Sequence, residues 1–497
     1  MRIIVLLAVV GSVGCTKHNP LSCCTTDAQC QMFGLDHVTA CSSSSDVCNS
    51  EGVCVAPECS TSADCTSSDA PVCVGQLCVA ACTGDPDCTG SPVGPYCAPD
   101  GSCVACTMDS QCTGADAPVC DMTTNTCRGC QDDGECASGV CIEAQGTCAD
   151  QSAVLYVATF GSDAGTCTSS SPCVTLGHAL SLVTASRDVI QINTSSFSVG
   201  SSTIPIGRSV IIDGVGTTIQ FTGTTGPVFS LTSPTTNVTL ENMTIAGTGS
   251  AAAISVGSEV ALSLYADAIA NGVKVTGGTV AATSVAFTVN SPPAIDCSSG
   301  TVTVEQSTFE QSYVNSTNCS LTVRRNKFDE VSDYSVSATG GLIVVEDNLL
   351  MDSDSFADLA LVEQGAPGST VRFNTFVNVS GMAGDGTALY CDSTIDVTSN
   401  IFAYASMHPH ADNPACPTQY SLYDTVALSQ YTGGTGNKVA DMSTFFVNLS
   451  GRDFHLAASS PALMSAETGL PVTDDYEGKP RPNPTGSTPD MGAFEAP

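Results

Sequence analysis

The chain has 497 residues, of which 29 are cysteine and none tryptophan, and its 14 Lys plus Arg face 49 Asp plus Glu for a formal net charge of −35. This length exceeds what one ordinary core serves, so two or more domains are expected. The charge excludes nucleic acid as a partner and, unless a divalent cation bridges, long-range attraction to anionic membranes or acidic polysaccharides.

The N-terminus reads MRIIVLLAVVGSVGCTKHNP. Arg2 is a minimal positive start, and Ile3 to Val10 form an apolar run too short to span a bilayer. Through Val13, Gly14 and Cys15 the segment resembles a bacterial lipoprotein signal, in which the cysteine is acylated and becomes the new N-terminus. Ser12 departs from that pattern, where an apolar residue is usual. The resemblance implies a signal peptide over 1–14, lipidation of Cys15, a linker over 15–22 and, with Thr16 following, anchorage to the bacterial outer membrane. The alternative is an ordinary secretory signal, with Cys15 paired or removed. Setting Cys15 aside, 29 minus one leaves 28 cysteines, an even number suited to disulfides.

Of the 29 cysteines, 23 precede residue 150, a density that implies an oxidising compartment. Over residues 23–150 a repeat opens as cysteine, five residues, cysteine, with an acidic residue between: CTTDAQC, CSTSADC, CTGDPDC, CTMDSQC and CQDDGEC. Two more cysteines follow each opening, giving about five units of roughly 24 residues. Units this small have no sufficient core, so disulfides must supply the order. They resemble the Dickkopf-like cysteine-rich repeats that precede larger domains in some bacterial surface lipoproteins. Spacing leaves the connectivity open, since four cysteines allow three pairings. Cys103-Val-Ala-Cys106 and Cys127-Arg-Gly-Cys130 have zinc-ligand spacing, but membership of one disulfide repeat explains them as well. A protein-binding array and a protease-resistant stalk both fit this region.

After Cys148 the composition turns to Val, Thr, Ser, Gly and Asn, which is strand and turn material. A second repeat appears in VTLENMTI, VAATSVAF, VTVEQSTF, LTVRRNKF, IVVEDNLL, STVRFNTF and IDVTSNIF, with a degenerate copy starting at Val260. The starts at 238, 260, 280, 302, 321, 343, 369 and 395 step by 19 to 26 residues. Alternation of apolar residues at such a period predicts stacked β coils: an all-β, right-handed parallel β-helix over 152–440, closed by 441–497. Asn326, Asn348, Asn374 and Asn400 share one position, where a left-handed turn and hydrogen bonds between coils are expected.

The ends carry a resemblance. LYVATFGSDAGTCTSSSPCVTLGHALSLV, residues 155–183, resembles the opening of right-handed β-helices of the pectin-lyase-like kind, with an edge strand and a short capping helix. Ser460-Pro461-Ala462, Gly478, Arg481 and Asp490-Met-Gly492-Ala493-Phe494-Glu495 resemble the closing segment of bacterial surface β-helix proteins. Leu463-Met464 departs from that pattern, where Ile-Asp is usual. The late cysteines suit stacking. Cys297 and Cys319 are 22 apart, Cys391 and Cys416 are 25 apart, each about one coil, while Cys167 and Cys173 can close a loop near the cap.

Two adjacent arginines, Arg324 and Arg325, with Lys327 behind them, are unusual in so acidic a chain. Numbering each repeat from its first apolar residue as zero, position 3 carries Glu305, Arg324, Glu346 and Arg372 in successive coils. In register these form an alternating charge ladder on the outer face. The rival reading is catalytic. Polysaccharide lyases of this fold set Arg or Lys beside calcium-binding acids, and Arg324, Arg325 and Lys327 with Asp347, Asp352 and Asp354 would be the pieces. Solvated turn acids are the plain reading of those aspartates. His408, His410 and Asp412 are a weaker metal candidate, explained equally by an exposed loop. The expectation is a cell-surface β-helix that binds a polysaccharide or a surface protein without chemistry. The alternatives are a calcium-dependent polysaccharide lyase, or other carbohydrate-active enzyme, and a structural envelope protein.

Overall fold

The computed structural model describes residues 93–247, 251–288, 293–329, 334–351, 360–378, 388–404, 417–425 and 433–496, with short stretches between 47 and 91. Cys15, Asp352, Asp354, His408, His410, Asp412 and Cys416 lie outside the described residues. The chain forms two units, one reaching to Gln131 and taking in Gln145–Thr147, the other made of Asp132–Ala144 with Cys148–Pro497. The division falls inside the last cysteine repeat, not at residue 150 after it.

In the first unit the connectivity left open by spacing is first-to-third and second-to-fourth. Cys59 pairs with Cys73, Cys65 with Cys78, Cys82 with Cys97, Cys88 with Cys103, Cys106 with Cys120 and Cys112 with Cys127. Each bridge closes a loop of 13 to 15 residues, a span for which cross-linking contributes about 3 kcal/mol. Both zinc-spaced pairs straddle neighbouring repeats, and all four of their sulfurs are in disulfides, so no thiolate is left for a metal. The acidic residue also has a task in the openings CTGDPDC and CTMDSQC. Asp85 and Asp109 accept hydrogen bonds from the backbone N–H of Cys97 and Cys120, each at 2.9 Å, pinning the knot to its own hairpin.

The larger unit is a parallel β-helix. Val238 aligns with Leu262, then with Val280, Val302, Leu321 and Ile343, through parallel pairing of successive coils. The degenerate copy therefore starts at Leu262, two residues later than its sequence pattern suggested. Inward positions carry Val, Leu and Ile, all buried, and position 7 stacks Phe287, Phe309 and Phe328 at centroid distances of 4.8 and 4.3 Å. A second stack joins Phe376, Phe402 and Tyr423 at 5.0 Å each. The helix Leu176–Leu182, capped by the Thr175 side chain, buries Leu176 and Ala179 near the first coil. Cys167 is bridged to Cys173 and Cys297 to Cys319, and Cys391 is disulfide-bonded.

The left-handed residue of each turn is the one before the asparagine, not the asparagine itself. Asn242, Ala266, Ser284, Gln306, Arg325, Asp347, Phe373, Ser399 and Tyr420 all have φ between 45° and 61°. This frees the next side chain to turn inward. The Asn348 Oδ1 accepts from the Asn326 backbone N–H at 2.9 Å, and the Asn348 Nδ2 donates to the Val323 carbonyl at 2.8 Å and the Asn374 Oδ1 at 2.9 Å. Asn374 and Asn400 repeat the pattern, and all four asparagines are fully buried. Asn348→Ala therefore strands at least one buried N–H and one carbonyl. We expect a loss of about 3 kcal/mol, read as a lower urea midpoint; an unchanged midpoint would show that the ladder does not stabilise the coils.

Candidate functional site

Position 3 holds the charged residues because it follows two inward apolar positions and precedes the turn, which points it outward. Pairing sets Glu305 beside Arg324, Arg324 beside Glu346 and Glu346 beside Arg372. The Arg324 guanidinium lies 3.5 Å from Glu305, 3.9 Å from Glu346 and 3.8 Å from Asp347. The Arg372 Nε donates to Glu346 at 2.6 Å. The closing segment then folds over this face. Asp474 takes Arg324 on one carboxylate oxygen and Arg325, at 2.7 Å, on the other. Lys327 stands apart, paired with Asp329, which also takes Arg452.

Arg481, from the same segment, is 4% exposed and sits between Asp347 at 3.3 Å and Glu495 at 3.2 Å. It donates to the carbonyls of Asp490 and Gly492, with its guanidinium 4.3 Å above the Phe373 ring. Burial pushes the Asp347 carboxyl up to about 8, against the smaller downward pull of Arg481 and then Arg324. This surrounding does not fit a calcium ion at Asp347, because two guanidinium groups already supply the positive charge. The arginine pair is likewise enclosed by carboxylates. A guanidinium so held is mostly engaged by carboxylates, with Arg324 still 22% exposed and Arg325 13%.

A second charged cluster had not stood out in the sequence. Followed backwards, position 3 carries Asp213 and Glu241 in adjacent coils, like charges in direct register. Asp213 and Glu241 are fully buried and Asp267 is 2% exposed. Of the three, Asp267 lines an open cleft of about 690 Å3, together with Asp132, Asp133, Glu143 and Asn242. Asp133 and Glu143 come from the segment 132–144, which packs on the first coils through Val140 and Ile142 against Val154 and Val189. Gln191 bridges Asp133 at 3.0 Å and Asp213 at 3.4 Å. Glu241 accepts from the Ala144 N–H at 3.1 Å, and Asp267 from the Met243 N–H at 3.0 Å. Burial, then neighbouring carboxylates, push Asp213 up to about 6; burial, with neighbouring carboxylates adding to it, pushes Glu241 up to about 8. Burial raises Asp267 well above the usual carboxylate range. The signal that would have found this cluster is the missing alternation of charge at position 3.

No family model and no curated protein matches the chain. Among solved structures, the chain is similar to the pectate lyase Pel9A, with 14% sequence identity and a TM-score of 0.40, over 69% of this chain and 96% of that one.

Arg481 is the residue on which the closing segment's charge balance rests. Arg481→Ala leaves Asp347 and Glu495 buried without their shared cation, and removing one partner of a buried pair costs about 3–5 kcal/mol. The expected result is a lower melting midpoint together with faster proteolysis within 441–497. A variant as stable and as resistant as the parent would rule this balance out.

Proposed function

We propose that the chain is a non-catalytic binding module: a β-helix displayed at a bacterial outer-membrane surface by lipid on Cys15, with the disulfide repeats as its stalk and a glycan or a cell-surface protein as its partner. The observation that carries this reading is a polar stripe on the outer side of the coils. Ser230, Ser255, Lys274, Asp296, Asn315 and Ser337 follow one another in strand register. Lys274 is exposed and the others are partly so. Successive members stand about 4.8 Å apart. A straight row of hydroxyl, amide and single charged groups offers repeated hydrogen bonds to an extended chain bearing hydroxyls. Part of the stripe borders a cleft of about 290 Å3 lined by Pro227, Ser255, Lys274 and Asp296. The same reading is supported by the arginines, whose guanidinium groups are engaged by carboxylates beneath the closing segment instead of facing a substrate channel.

The test uses protein from residue 16 onward, folded oxidatively and applied to a panel of polyuronates and neutral polysaccharides. Binding is expected without release of unsaturated products or new reducing ends. Asn315→Ala with Ser337→Tyr should weaken that binding roughly tenfold, the equivalent of about 1.4 kcal/mol, at an unchanged melting midpoint. Cleavage that vanishes in Arg324→Ala would instead make the chain a lyase, and binding indifferent to the stripe variants would move the site elsewhere. For the anchor, the full chain expressed in a bacterium should incorporate labelled palmitate and lose that label in Cys15→Ser.

A further inference from the structure

We infer that the acidic cleft beside the first coils is a divalent-cation site, suited to calcium, in which Glu241 and Asp267 are the principal ligands and Asp133 and Glu143 bring the segment 132–144 to the ion. The inference stands apart from any glycan binding, which concerns another stripe of the coils.

Two observations carry it. The first is a pair of orphaned atoms. Glu241 Oε1 and Asp267 Oδ2 are buried and have no hydrogen-bond partner. Asp267 occupies the position that the asparagines hold in later coils, and its Oδ1 accepts the backbone N–H of the coil before, as theirs do. The asparagines use their other atom, Nδ2, to donate to a carbonyl. Asp267 has an oxygen there, which gives a hydrogen bond only while the carboxyl keeps a proton and otherwise has none to give. A cation supplies the missing positive partner to such an oxygen and to the carbonyl it would face.

The second is the charge around those atoms. Asp132, Asp133, Glu143 and Asp267 line the cleft, and Glu241 and Asp213 are buried close enough to act on the same carboxylates, so Asp133, Glu143, Asp213, Glu241 and Asp267 form one group of five. Among the described residues none of the five is paired with a lysine or arginine; the other groups facing them are Gln191, Asn242, Tyr156 and Tyr265. Every candidate ligand is oxygen, which selects calcium or magnesium over zinc or copper. Among the described residues, the triads whose ligand atoms already converge all include disulfide sulfurs. Among the described residues no three of the cleft's carboxylates converge in this way, so an ion there would draw part of its shell from water. Calcium tolerates that loose, high-coordination geometry and magnesium does not.

The experiment uses the oxidatively folded protein from residue 16 onward, stripped with a chelator. Terbium is the first probe, because Tyr265 and Tyr156 stand close enough to the acids to sensitise its emission. Calcium should quench that emission by competition and raise the melting midpoint in a concentration-dependent way. Glu241→Gln and Asp267→Asn should each weaken calcium binding roughly tenfold or more. Both should melt at or above the parent's midpoint in chelator, since each removes a buried like charge, which distinguishes lost ligation from lost folding. Glu259→Gln, an exposed acid elsewhere on the coils, should bind as the parent does. A melting midpoint indifferent to calcium overturns the inference. So does calcium binding that survives both cleft variants, which would mark general attraction to an acidic surface.

Discussion

Parallel stacking in register is the constraint from which the rest follows. It sets equivalent side chains of successive coils about 4.8 Å apart, so whatever one coil carries at a position, the next must answer. Apolar residues answer with more apolar residues, as in the stacks of Phe287, Phe309 and Phe328. Amides answer each other, because an asparagine offers both a donor and an acceptor and can hand the bond on without end. Charges cannot repeat, and position 3 shows each way of coping. Glu305, Arg324, Glu346 and Arg372 alternate in sign.

Alternation alone does not finish the task where the face is covered. Once the closing segment lies over Arg324 and Arg325, their charge is partly removed from water, and Asp474 comes with the cover to meet it. Asp347 is buried under the same cover, and Arg481 arrives from that segment to meet it. The cover and the charges it buries are thus matched. Its attachment depends on a small set of buried pairs, whose value lies in fixing where the segment sits more than in net stability.

Much of this was legible from residues alone. The coil period, the inner apolar positions, the shared asparagine position and the charge order at position 3 all follow from pattern, because stacking forces like positions together. What was not legible depended on the third dimension or on one slipped register. The three disulfide pairings of a repeat are equal in spacing, and only the folded hairpin selects first-to-third. The left-handed turn residue carries no shared side chain, from Ser284 to Phe373, since it points to solvent or the cover and its backbone alone is constrained. Asp474 and Arg481 reach the coils from 150 and 134 residues away, which no local pattern reports. The sequence pattern starts the weak coil at Val260, whereas strand pairing sets Leu262 beside Val238 and puts Asp267 at the asparagine position. With that register, the acid stands out as a chemical exception.

The two charged regions solve one problem by opposite means. Where the coils meet the closing segment, acids are neutralised by arginines that the chain itself supplies. Where they meet the segment 132–144, Asp213 and Glu241 stand in register, Asp267 replaces an amide, and the incoming segment adds Asp133 and Glu143 instead of a base. A chain with 14 basic residues against 49 acidic ones has few to spend. That segment is held by Val140 and Ile142 against Val154 and Val189 and by the Gln191 and Ala144 hydrogen bonds, and the negative charge it adds works against that attachment unless something positive enters with it. Protons serve where the carboxyls keep them, but a proton satisfies one oxygen at a time. A divalent ion satisfies several, from coil and segment together, and in doing so converts the repulsion between them into the attachment.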